Sequence, residues 1–147
     1  MSRAVRLGLG AVLLVVAGGV ASHVSGSRPE APSGGPLAAC PDAPNCARVR
    51  VALAQPPDAV RRAARRALPR LGGRTGRADA VSATEAGARA RFAVGPFRDD
   101  LDVAVEAEGA GSVLWVRSAS RTGRSDLGVN RARVAAFVAA VRAELEG

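Results

Sequence analysis

The chain has 147 residues, room for one ordinary domain once an N-terminal export segment is set aside, and 48% of them are hydrophobic, which excludes a disordered chain. The formal net charge is +8, carried by 21 basic residues that are all arginine, and aromatic residues make up 3%. The charge points to anionic partners. It does not point to nucleic acid, because Phe92, Phe97, Phe137 and Trp115 are too few and too scattered to form base-stacking platforms.

Arg3 and Arg6 form a basic n-region, and Leu7 to Ala21 is an uncharged apolar h-region ending in the small residues Gly19 and Ala21. Residues 1–22 therefore read as a signal peptide or, since the uncharged run extends from Leu7 to Ser27, as an N-terminal membrane anchor. Both readings export the domain to the periplasm or the extracytoplasmic face of the membrane. Leu37-Ala38-Ala39-Cys40 spells a lipobox, but Arg28, Pro29, Glu30, Pro32 and Pro36 separate it from the h-region. Residues 23–36 are rich in Ser, Gly and Pro and have the composition of a flexible tether, so a single domain is expected over 37–147.

Within that domain Val49, Val51 and Leu53 alternate with Arg48, Arg50 and Ala52, the pattern of a short strand. After Pro56-Pro57, Asp58 is expected to cap a helix with Val60, Ala63, Ala64, Ala67 and Leu68 on one face and Arg61, Arg62, Arg65 and Arg66 on the other. Pro69 and Gly72-Gly73 stop it. Gly76 to Ala83 is a weak strand pattern, whereas Ala88, Ala90, Phe92 and Val94 alternate cleanly with Arg89 and Arg91 up to Gly95-Pro96. Leu101, Val103, Val105 and Ala107 alternate with Asp100, Asp102, Glu106 and Glu108, and Gly109-Ala110-Gly111 turns the chain into Ser112 to Ser118. Asn130 is then expected to cap a last helix with the stripe Val134, Phe137, Val138, Val141 and Leu145. This order predicts an α+β two-layer sandwich, a four- or five-stranded antiparallel sheet with both helices on one face.

Two segments, Cys40-Pro41-Asp42-Ala43-Pro44-Asn45-Cys46 and the run Arg117-Ser118-Ala119-Ser120-Arg121-Thr122-Gly123-Arg124-Ser125-Asp126-Leu127-Gly128-Val129-Asn130-Arg131, carry a resemblance when taken with Asp99-Asp100. Together they resemble the family of domains of unknown function numbered 1499, over roughly Leu37 to the last helix. The resemblance implies no activity and no catalytic residue. Where the family usually has Ser or Val after the second cysteine this chain has Ala47-Arg48, and Arg124 stands where it usually has an aromatic residue.

The only histidine, His23, lies outside the domain, and the chain has no lysine. Ser-His-Asp and Cys-His catalysis, His-ligated zinc, Schiff bases and the phosphate-loop lysine are thereby excluded, and no cofactor motif is present. Carboxylate, hydroxyl and thiol chemistry remain. Asp99 and Asp100 are neighbours on a strand and point to opposite faces, so they suit pairing with arginine better than joint acid–base work. Cys40 and Cys46 form a disulfide by default in an oxidising compartment, a small ring worth about 2 kcal/mol; a reactive thiol beside Arg48 or Arg50, or a metal pair, are the alternatives.

The final loop holds the richest polar set: Arg117, Ser118, Ser120, Arg121, Ser125, Asp126, Asn130, Arg131 and Arg133, with Asp99 and Asp100 as carboxylates in reach. Arg131 and Arg133 sit in the first turn of a helix, where the macrodipole disfavours cations, so something must offset them. Either the carboxylates Asp99, Asp100 and Asp126 form a buried polar network with them, or the loop and helix N-terminus hold an anion. Three functional classes follow: an exported, non-enzymatic domain binding an anionic small molecule or lipid head group, a structural component docking on an envelope protein, and an enzyme using Asp or Cys without His. The apolar N-terminal segment is itself a membrane contact if it stays uncleaved.

Overall fold

The computed structural model describes residues 32–147; the export segment and most of the tether read from the sequence lie outside these residues. The strands are β1 (Cys46–Leu53), β2 (Ala78–Ala83), β3 (Gly87–Val94), β4 (Phe97–Glu108) and β5 (Gly111–Ser120). The helices are α1 (Pro57–Ala67) and α2 (Val129–Glu146), and two short 3-10 turns, Leu68–Arg70 and Gly73–Thr75, connect α1 to β2. All strand pairs are antiparallel in the order β1-β5-β4-β3-β2, so β2 to β5 form a meander and β1 closes on the outside of β5.

Alternation decides the two faces of this sheet. Ala90, Phe92, Leu101, Val103, Val105, Leu114 and Val116 point to one side. They form a single core with Val60, Ala63, Ala64 and Ala67 of α1, Leu68 just after it, and Val134, Phe137 and Val141 of α2. Both helices therefore cover the same face, as the 3.6-residue stripes require. The small alanines of α1 bring it close to the sheet, while its arginines stay at the surface. Arg61 pairs with Asp58 at 2.8 Å, and Arg66 and Arg70 share Glu144 of α2.

Both expected helix caps are displaced. At α1 the N-cap is Pro56, whose carbonyl accepts from the Ala59 and Val60 amides, and Pro57 opens the helix; Asp58 lies in the first turn. Proline suits that place because its missing N–H has no partner there anyway. At α2 the helix starts at Val129, so Asn130 is inside it, and the capping carboxylate belongs to Asp126, four residues before Asn130.

The opposite face of the sheet carries Arg48 and Arg50 of β1, Val113, Trp115 and Arg117 of β5, Asp100, Asp102, Ala104 and Glu106 of β4, and Arg89 and Arg91 of β3. Several of these are charge partners: Arg89 meets Asp102 directly opposite, and Arg50 reaches Glu108. Trp115 is 6% exposed on this face because residues 32–37 lie across it as a strap. The Arg48 guanidinium donates to the carbonyls of Pro32, Gly34 and Leu37 and stacks 5.0 Å from the indole, whose Nε1 donates to Glu106 at 2.9 Å. Residues 32–36, within the stretch whose composition reads as tether, are thus packed against the sheet.

The disulfide joins Cys40 to Cys46 and fixes the end of the strap to the first residue of β1. Gly35 lies so close to the indole that a Cβ there would come within 2.6 Å of Trp115 Cζ2, and its φ of +79° also favours glycine. Gly35→Ala is therefore expected to lift the strap and wet the indole. Trp115 is the only tryptophan, so a red shift of intrinsic fluorescence with little change in Tm is the expected result, and unchanged emission would show that the strap does not cover the ring.

Candidate functional site

The end of the sheet where β4 begins and β5 finishes gathers the start of α2, the turn Gly73–Thr75 and Asn45, and it is polar inside. Arg133 of α2 has no exposed surface. Its Nη1 donates to Asp99 Oδ2 at 2.8 Å, to Asn130 Oδ1 at 2.8 Å and to Ser118 Oγ at 3.0 Å, and its Nε donates to the Thr75 carbonyl at 2.7 Å. The guanidinium carbon lies over the Phe92 ring, 4.3 Å from its centroid. Taking a guanidinium out of water costs several kcal/mol, and it is tolerable only where a carboxylate and further acceptors meet it in good geometry.

Asn130, also fully buried, extends this network to β1 and β5. Its Oδ1 accepts from Ser118 Oγ at 2.5 Å, and its Nδ2 donates to Ser120 Oγ at 2.9 Å and to the Asn45 carbonyl at 3.0 Å. Asn45 in turn donates from Nδ2 to the Gly123 carbonyl at 2.5 Å, which ties the residue before the second cysteine to the final loop. Asp126 spends both oxygens on the start of α2, accepting from the Gly128 amide at 2.9 Å and the Asn130 amide at 2.8 Å. The chain's own carboxylate thereby occupies the positive end of the helix.

The sheet divides the sequence-derived polar set between its two faces. Asp99, Ser118, Ser120, Asn130 and Arg133 converge on the helix side. Arg117, Arg121 and Asp100 lie on the other: Arg121 grips Asp100 through two bonds of 2.8 Å, and Arg117 stands 3.8 Å from Asp102. The hydrogen bond to Asp100, with its Coulombic attraction, raises the Arg121 pKa above its ordinary value, and Asp102 raises that of Arg89 in the same way. Ser125 accepts weakly from the Leu127 amide at 3.4 Å, and Arg131 is exposed with no ion pair among the described residues.

Sequence reasoning missed Asn45 and Thr75, which enter through backbone and amide contacts that no motif announces. It expected Arg133 in the first turn of a helix, whereas Arg133 is the fifth residue of α2, in its second turn, and lies in the core. The signal was present, since Asn130, Arg133, Phe137 and Val141 fall on one helical face, which puts two polar residues in line with the apolar stripe.

A concavity of about 490 Å³ lies beside the strap and is bordered by Pro32, Gly35, Leu37, Cys40 and Arg48. Among the described residues no helix is long and apolar enough to cross a membrane.

These features define an α+β domain with a five-stranded open antiparallel sheet, two helices on one face and a buried arginine-centred polar network. The model of the family described as a protein of unknown function, DUF1499, matches residues 36–141, and the chain belongs to that family. Among solved structures it is similar to the crystal structure of TTHA0849 from Thermus thermophilus, with 14% identity over 69% of this chain and 97% of that chain and a TM-score of 0.42. A search of curated proteins finds no match. The disulfide is consistent with an oxidising, exported location.

Removing the carboxylate from the buried pair leaves an uncompensated guanidinium in the core. Asp99→Ala is expected to cost about 3–5 kcal/mol in denaturant unfolding, against a much smaller loss for Asp100→Ala at the exposed Arg121 pair. Equal small losses at both positions would remove the network from the list of structural determinants.

Proposed function

We propose that the domain is an exported, non-enzymatic module that rests the loop end of its sheet on an anionic envelope lipid surface. The observation that carries this reading is Leu127, which is 93% exposed in a left-handed backbone conformation, φ +53°. A leucine held there costs on the order of 1–3 kcal/mol and persists only where its surroundings enforce it. Asp126, bonded to the amides on either side of Val129, and the Ser125 hydroxyl supply that enforcement.

Arg124 and Arg131 flank this tip, both exposed and without an ion pair among the described residues. Phe97, half exposed at the start of β4, and the exposed Arg98 belong to the same end of the sheet. An apolar side chain projecting between free cations suits the boundary between anionic head groups and acyl chains. The engagement of Asp99, Asp100 and Asp102 by arginines favours binding over acid–base chemistry. The export segment read from the sequence supplies the route to such a surface.

The test is an environment-sensitive fluorophore on Leu127→Cys in the full chain, mixed with phosphatidylglycerol or phosphatidylcholine vesicles. A blue shift confined to the anionic vesicles and reversed by salt is expected. Each arginine near the surface is worth about 1 kcal/mol, so the Arg124→Ala/Arg131→Ala variant should lower partition of the tip roughly 30-fold. The same emission in both vesicle types would rule the reading out.

A further inference from the structure

Arg133 has a lopsided hydrogen-bond inventory. Three acceptors, from Asp99, Ser118 and Asn130, crowd its Nη1, while Nη2, an amino group with two N–H donors, is buried and has no partner among the described residues. The Phe92 ring, 4.3 Å from the guanidinium carbon, offers Nη2 no oxygen or nitrogen acceptor. A buried donor pair on a charged group is costly to leave unmade, more so than the single Nε–H that is unpaired on Arg48, Arg61 or Arg117.

Gly76 lies beside Nη2, and a Cβ at that position would come within 3.7 Å of it. Residues 72–77 read Gly-Gly-Arg-Thr-Gly-Arg. Gly73 and Gly76 have φ of +61° and +76°, and Thr75 is the residue whose carbonyl Arg133 Nε holds. Arg74 and Arg77 flank Gly76, exposed and without an ion pair among the described residues. One fixed, half-used guanidinium therefore lies beneath a glycine-rich turn that carries two free ones.

We propose that this turn and the Nη2 edge of Arg133 form a subsite for a phosphate oxygen. Asp99, Ser118 and Asn130 hold one half of the fork and thereby present the other. Arg74 and Arg77, carried on the same turn, supply two further guanidinium groups for the remaining oxygens, which suits phosphate as an anion with several acceptors. The inference deepens the lipid reading above by naming where the phosphate of a head group would bind. Its chemistry serves free phosphate equally.

The experiment is calorimetric titration of the full chain in zwitterionic micelles, first with inorganic phosphate and then with phosphatidylglycerol doped into the micelles. Phosphate is expected to bind with a Kd on the order of 1 mM or tighter, and Arg74→Ala/Arg77→Ala to weaken it at least about tenfold with Tm unchanged. Arg133→Lys keeps a charge beside Asp99 but removes the fork and should abolish binding; if it fails to fold, the Arg74/Arg77 variant still decides. Competition by the doped lipid assigns the subsite to a head group, and its absence assigns it to free phosphate. Undetectable phosphate binding, or a double variant that binds like the parent, overturns the inference and leaves Nη2 to buried water. Vesicle binding without phosphate binding would retain the lipid reading and remove this subsite; phosphate binding without vesicle binding would do the reverse.

Discussion

The buried ion pair between Arg133 and Asp99 is the constraint on which the rest of the domain depends. It draws α2, β4, β5 and the Gly73–Thr75 turn to one point, and through Asn130 it reaches Asn45 at the start of β1. A hydrophobic stripe alone lets a helix slide or rotate on a sheet at modest cost, since burial is non-directional. A guanidinium with acceptors on three elements fixes position and rotation together. The apolar contacts of Phe137 and Val141 then hold the helix down along a line already set at its first turns.

The same constraint explains how polar residues are divided. On the helix side they are engaged in the network, Nη2 of Arg133 apart, and the loop from Arg121 to Gly128 is tied at Gly123 by Asn45 and at Asp126 by the helix amides, with Leu127 left outside. On the other side, carboxylates of β4 stand between arginines of β3 and β5 and neutralise much of that face, where the strap covers Trp115. Between residues 32 and 147 there are 18 arginines and 12 carboxylates, so the surplus has to emerge elsewhere. It emerges at Arg62 and Arg65 of α1, at Arg91 of β3, at Arg142 of α2, and at Arg74, Arg77, Arg98, Arg124 and Arg131, the last five on segments that meet at the loop end. Positive potential is thereby concentrated by paired carboxylates, not by a run of basic sequence.

The fold was largely legible because periodicity reports burial directly. Period-two alternation in Ala88 to Val94 and in Leu101 to Ala107 and the stripe Val134, Phe137, Val141 all mark the core face observed. The helix caps were less so: Asp58 and Asn130 are good capping residue types, but Pro56 and Asp126 stand where the chain actually turns, and residue type does not say where a turn ends. The strap was invisible for a different reason. Pro, Ser and Gly have the composition of a linker, and only the remote Arg48 and Trp115 make an ordered segment of Pro32 to Leu37. The site was legible as a set of residues and not as an arrangement, since alternation along β5 sends Arg117 and Ser118 to opposite faces of the sheet.

The central claim is that Arg133 and Asp99 act as one unit, and a double-mutant cycle on their stability measures it most directly. With Asp99→Ala, Arg133→Met and the combined variant, the account requires a coupling energy of roughly 2–4 kcal/mol, with the double variant no less stable than the worse single one. Coupling below about 0.5 kcal/mol, with the two losses simply adding, would contradict it and return the orientation of α2 to apolar packing alone.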